Sequence, residues 1–472
     1  MRRQALNDSP LLDHLRLVAV RSGALRDHLS SLLGYQYPHD DVEAVLKAVS
    51  EAVDEISGRA QSDAARGIGS PNPARKTSAL RRLRRHLRAL SLIHSFLGYF
   101  QGADLALLPG MLVPVLNGRT RPYLPSAVLA VHGWELHNYS YVSAAWLNKV
   151  FEEAGLQVRV PDTFGVLAFP AAESRNILAC CVLAHEAGHF VCESLNLVGT
   201  FFTNLSESAR TEIASAAKTY AVANGATPQE RVSLLRAFLD AFEAWLKELY
   251  ADALGLRLLG PASLFAMREQ TLKFDPWSDE SDDHPAWSMR AAYAIDGFLT
   301  AADGWGDSIA EQVGPVWASI IEAGAAVRPV GKDPLLDGVY EVVVSQLDPA
   351  ALRAAVDAAT PVDGDCILSA EHCLTQLKAA VELLERGLVP GEIVTDDGSS
   401  TYVNPLTALL AGWVFKAKGM PKWGMPEDSE IVTDPASMKR VYGLDRALND
   451  YVAKALEIHL VGTAWREPKP CL

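Results

Sequence analysis

The amino-acid sequence predicts a mainly α protein of the α+β kind: a small sheet and a helix bearing two histidines, flanked by helical regions. Three observations lead there. Apolar residues recur at three- and four-residue spacing through the first hundred residues and again beyond Ala301. Short apolar runs among prolines and glycines cluster near residues 105–170. An apolar segment from Ile177 runs straight into His185-Glu186-Ala-Gly-His189.

Taken in chain order, Leu11 to Leu33 and Val42 to Ile56 carry the spacing of amphipathic helices, and the Gly, Ser, Pro and Asn content of Ser57 to Thr77 predicts a linker. The next segment holds Arg75, Lys76, Arg81, Arg82, Arg84, Arg85 and Arg88 without one acidic residue, while Leu80, Leu83, Leu87 and Leu90 repeat like one helix face. Such a basic amphipathic helix can dock on RNA, on anionic lipid or on an acidic partner, but a solvated face, or one docked on the protein's own acidic body, is the expected reading. Ala127–Val131 and Phe164–Phe169 read as strands, Val142–Ala154 as a helix. Beyond Ala301, helices are expected at about 308–326, 335–358, 369–386, 404–417 and 436–461. These shifts divide the chain into an N-terminal helical region with the basic helix (1–103), a motif-bearing domain (104–300) and a C-terminal helical region (301–472).

Composition narrows the class of function. With 49% hydrophobic and 21% charged residues the chain is far from the regime of disorder, and 472 residues leave ample volume for a closed core. Its 57 acidic and 43 basic residues give a net charge of −14; residues 1–100 carry +5, leaving −19 for the rest. Such a molecule repels a phosphate backbone, so no nucleic-acid partner is expected. The six cysteines form neither a CxxC pair nor a disulfide framework and are expected as reduced, mostly buried thiols. No apolar run approaches a membrane span and no leader follows Met1, so the expected location is the cytoplasm.

The chemistry concentrates at His185-Glu186-x-x-His189. Histidines four apart on a helix project about 40° from each other, so both imidazoles can meet one Zn²⁺, with the glutamate beside the metal's water. The apolar lead from Ile177 to Ala184 buries this helix, and buried His and Glu need partners that a metal would supply. A catalytic zinc needs a third protein ligand and an open position. Glu248 meets that need, with Asp252 one turn later placed to accept the Nδ1–H of a ligating histidine, on a segment flanked by Leu246, Leu249, Ala253 and Leu256. A third element, His284-Pro285 with Arg290 in the following helix, offers cationic donors for an oxyanion.

His185-Glu-x-Gly-His189, Glu248-x-x-x-Asp252 and then His284-Pro with Arg290 resemble the gluzincin metallopeptidases, more narrowly the CAAX prenyl protease and heat-shock membrane protease family with its soluble bacterial relatives. The resemblance covers about residues 160–300 and implies a zincin-like core. It implies one zinc per chain on His185, His189 and Glu248, Glu186 as catalytic base, Asp252 behind a ligating histidine, and His284 and Arg290 near substrate or oxyanion. The activity implied is a zinc-dependent endopeptidase acting on a protein or peptide. Phe164–Phe169 is then either the edge strand along which an extended substrate pairs, as the resemblance implies, or an ordinary strand of the core. The chain departs from the membrane branch in lacking spanning helices. The helical flanks offer surfaces for a regulatory partner. A second reading is a catalytically inactive scaffold of the same fold that acts by binding other proteins; the complete set of base, ligands and downstream His and Arg argues against it.

Overall fold

The computed structural model describes residues 8–35, 37, 41–102, 108–120, 127–133, 139–271, 275–299, 306–331, 333–359, 370–394, 398–427, 430–431 and 434–466. The chain is mainly α with a small sheet, and it packs as two units. One comprises residues 1–106 and 125–171, the other residues 107–124 and 172–472. This division cuts the chain differently from the three regions expected from the sequence. The sheet shares a core with the N-terminal helices, whereas the C-terminal helices share a unit with the His185 helix.

In the first unit α1 (Ser9–Leu32), α2 (Asp41–Gly67) and α3 (Pro73–Gly98) pack on one another and bury the predicted apolar faces, among them Leu25, Leu29, Val49, Val53, Leu83 and Leu90. The expected linker over Ser57–Thr77 is absent: α2 continues to Gly67, and only 68–72 separates it from α3. Ala60, Ala64 and Gly67 continue the buried face of Ile56, and a Cβ at Gly67 would come within 2.8 Å of Leu11 Cδ1 and 2.9 Å of Ala79 Cβ. The small residues mark close helix packing here. Asn72 then starts α3, its side chain accepting from the Ala74 amide, with Pro73 in the first turn.

The sheet joins β1 (Ala127–Gly133), β2 (Ser140–Ser143) and β3 (Phe164–Pro170), with α5 (Ala144–Glu153) following β2. Its order is β1-β3-β2: β3 runs parallel to β1, Ala127 opposite Phe164, and antiparallel to β2, Ser140 opposite Ala168. Phe164–Phe169 is therefore the central strand, buried throughout, and both of its hydrogen-bonding edges are taken by neighbours. It offers no free edge for a substrate, so the edge-strand alternative falls and the core-strand one holds.

The second unit is built around α9 (Pro228–Leu259), about 48 Å long at the helical rise. A capping box starts it: Glu230 N donates to Thr227 Oγ1 and Thr227 N to Glu230 Oε2. Against it pack α4 (Leu112–Thr120), α6 (Leu183–Ser194), α7 (Leu197–Asn204), α8 (Glu207–Asn224), α10 (Pro261–Gln270) and α11 (Trp287–Phe298). Of the C-terminal helices, α12 (Gly306–Gly324) packs on α11, while α13 (Pro334–Gln346) and α14 (Pro349–Ala359) reach α9. The single helix expected over 335–358 is two, because Leu347 is extended and Pro349 opens the next. After α15 (Ala370–Glu385) comes an unpredicted hairpin of β4 (Glu392–Val394) and β5 (Ser400–Tyr402), then α16 (Pro405–Val414) and α17 (Pro435–Arg466). Cys180, Cys181, Cys192 and Cys373 are buried; Cys366 and Cys471 lie outside the described residues. Among the described residues no helix is long and apolar enough to cross a membrane.

Candidate metal centre

Two glycines let the backbones of α6 and α9 come together. A Cβ at Gly188 would sit 2.6 Å from Ala251 O, and one at Gly255 would sit 3.1 Å from Ser263 Oγ and 3.2 Å from His185 N. With this close crossing, Glu248 of α9 reaches both histidines of α6: its Oε2 is 3.3 Å from His185 Nε2 and its Oε1 3.4 Å from His189 Nε2. The two imidazole Nε2 atoms stand 3.1 Å apart. All three side chains are buried.

The chemistry of these donors fits a cation. Asp252, one turn beyond Glu248, lies 2.7 Å from His185 Nδ1 and so accepts its proton, turning the Nε2 lone pair toward His189 and Glu248. Arg290 of α11 holds Asp252 in turn, Nε donating to Oδ2 at 2.7 Å and Nη2 to Oδ1 at 2.6 Å. Glu248 Oε2 is buried without a hydrogen-bond partner, an arrangement costly for a carboxylate. These two nitrogens and one carboxylate, all within 4.8 Å of one another, are of the kind that could hold a metal ion. Among the described residues no other group of His, Cys, Asp and Glu is placed this way.

Electrostatics follow from burial and from these pairs. Burial opposes charge on His185, yet Asp252 and Glu248 raise it to about 10, so without a metal this imidazole carries the proton a cation would displace. Burial, reinforced by the neighbouring His185, lowers His189 to about 3. Burial works against Glu248 and Asp252 as anions, but His185 and Arg290 hold both below the usual carboxylate range. Glu186 is different. Burial raises it to about 7, where a carboxyl group exchanges its proton near neutral pH.

All the residues singled out in the sequence from His185 to Arg290 fall in this unit; His185, His189, Glu248 and Asp252 come together as expected, whereas Arg290 does not face a substrate site. The guanidinium of Arg290 is buried and turned onto Asp252; its Nη2 is also 3.4 Å from His185 Nδ1 and 4.0 Å from Glu248 Oε2. It braces a ligand where an oxyanion donor was expected. His284 is exposed, its Nε2 3.7 Å from Glu248 Oε1.

Other residues complete the centre and carried no local signal. The loop bearing His284 is pinned to α9 by Trp245 Nε1, which donates to Ser281 O at 2.8 Å, and Ser281 Oγ accepts from His284 N. Its far side is held by buried Arg328, whose Nε and Nη2 each donate to Glu280 at 2.8 Å while Tyr340 stacks against the guanidinium. The entry to α6 is fixed from α17, where buried Asn449 Oδ1 accepts from Leu178 N. Only the glycines had a readable sign: small residues one turn from a motif mark a helix crossing.

No family model, curated protein or solved structure matches this chain.

Proposed function

We propose that the protein is a zinc-dependent endopeptidase of the gluzincin type, resembling the CAAX prenyl protease and heat-shock membrane protease family in its motifs and acting on a protein or peptide substrate. The observation that carries this reading is the convergence of His185, His189 and Glu248 from two helices beside a buried Glu186 held near neutrality. These three residues would hold one zinc per chain, which when bound supplies Lewis acidity for a carbonyl and a water.

The remaining work falls to the protein's own side chains. Glu186 accepts a proton as its carboxylate and returns it, as its acid, to the leaving amine; a carboxyl group at about 7 serves both directions at neutral pH. Asp252 fixes the tautomer and plane of His185, and Arg290 keeps Asp252 ionised and in place. His284, at the exposed side of Glu248, is positioned to donate to a substrate oxygen.

The test has two readouts. Metal analysis of purified protein should give about one zinc per chain, lost in His185→Ala and in Glu248→Ala; retention of full zinc by His185→Ala refutes the site. Glu186→Gln should keep the metal and lower turnover at least ~10²-fold, read as new termini in a lysate digest. Undiminished cleavage by that variant refutes the mechanism.

A further inference from the structure

The basic residues of α3 fall into two sets. Lys76 pairs with Asp8, and Arg82 with Asp63, within the first unit. Arg75, Arg81, Arg84, Arg85 and Arg88 are exposed, and none of them has an acidic partner among the described residues. Arg81, Arg84, Arg85 and Arg88 recur at three- and four-residue spacing, so they form one strip about 10 Å long, opposite the face that buries Leu83, Leu87 and Leu90. Four of the six acids of the adjacent α2 are engaged elsewhere, Glu43 with Lys47, Asp54 with Arg26, Glu55 with Arg59 and Asp63 with Arg82, and neither Asp41 nor Glu51 pairs with the strip. The +5 surplus of residues 1–100 is thus gathered largely on this strip.

We propose that the strip docks an extended acidic segment of another polypeptide. Its exposed cations are all arginines, whose planar forks match carboxylates two bonds at a time. The occupant is narrow, because the cations stand in one line about 10 Å long on a single helix face. No apolar side chain stands on the strip to enter a bilayer; between Arg75 and Arg88 the other exposed positions are Thr77 and Ser78. A nucleic-acid single strand would be held by aromatic platforms, and Arg75 to Arg88 contain no Phe, Tyr or Trp.

The full-length protein is titrated, by fluorescence anisotropy at ~150 mM salt, into a labelled peptide of about sixteen alternating Asp and Glu residues. Parallel arms use a single-stranded RNA of equal charge and phosphatidylserine-containing vesicles. The peptide should bind tightest, and Arg84→Glu with Arg88→Glu should weaken it at least ~10-fold. The charge-matched control, Arg16→Glu with Arg236→Glu at exposed positions elsewhere, should change it less than ~2-fold. Circular dichroism verifies that both variants keep their helices. Absence of peptide binding, equal loss in the control, or strip-dependent binding that is tighter for RNA or vesicles overturns the proposal. None of these outcomes depends on the peptidase reading.

Discussion

Each unit buries a histidine against an aspartate that an arginine holds in turn: His86, Asp63 and Arg82 in the first, His185, Asp252 and Arg290 in the second. In the first, His86 Nε2 lies 3.2 Å from Asp63 Oδ2, and its Nδ1 is buried without a hydrogen-bond partner. Burial outweighs the single carboxylate there and lowers the imidazole below its ordinary value. In the second the balance reverses, because a second carboxylate joins the first. The difference lies one helical turn away on each side. Four residues after His86 stands Leu90, after His185 stands His189; four residues before Asp63 stands Arg59, before Asp252 stands Glu248. A His–Asp–Arg cluster by itself is packing, and the added histidine and carboxylate give the second one a set of groups that could hold a metal ion.

Removing the aspartate from each cluster should separate the two most strongly. Asp252→Ala leaves the buried Arg290 with only its longer 4.0 Å contact to Glu248, which should cost about 3–5 kcal/mol and weaken metal binding about 10–100-fold. Asp63→Ala should cost only about 1–2 kcal/mol, because Arg82 is 36% exposed and can rehydrate. Denaturant titration and metal-competition assays measure both. Equal costs would mean that the second cluster is no more than packing.

The glycines give the next largest effect. Gly188→Ala would drive a Cβ against Ala251 backbone, so it should destabilise by about 1–3 kcal/mol and lower zinc occupancy by pushing α6 off α9. Gly255→Ala meets a side-chain hydroxyl first and should cost about 1 kcal/mol or less. If both variants keep full zinc, the closeness of this crossing does not set the ligand geometry.

This contrast also marks what could be read in the sequence. His185 with His189, and Glu248 with Asp252, were legible because each pair is spaced one turn apart on a single helix, a local property. Arg290 was found but its target was not, since a guanidinium after a His-Pro turn says nothing of which carboxylate it will meet. Arg328, Trp245 and Asn449 act across 36 to 271 residues of sequence, beyond any local pattern. The Ser57–Gly67 stretch was misread because small residues signal both loose chain and close packing; Ile56, Ala60 and Ala64, each four apart and each buried, point to the second. Phe164–Phe169 had a usable sign in its unbroken apolar run, which belongs to strands covered on both faces, but sheet order is non-local.

Dependence on remote residues can be tested at Arg328. Arg328→Ala frees Glu280 and the loop carrying His284, so kcat should fall about 10-fold while zinc content stays at one per chain. Arg328→Lys, which keeps the charge but not the fork, should recover part of the loss. A zinc-depleted Arg328→Ala would place the clamp under the metal site as a whole.

The smallest effect is a pH dependence confined to the first unit. His86 is lowered by burial, so below its ordinary value near 6.5 the unfolded chain takes up a proton that the folded chain refuses. The unfolded state then binds more protons, and stability must fall as pH falls through that value; above it the contribution is fully present. Hydrogen exchange of α3 amides in the full-length protein, corrected for intrinsic rates, should therefore show protection that drops between about pH 7.5 and 5.5. His86→Gln removes the titrating group and should flatten that drop. The unpartnered Nδ1 sharpens the expectation, since protonation there would create a buried N–H with nothing to receive it. An equally steep drop in His86→Gln would show that a different group sets the acid sensitivity of this unit.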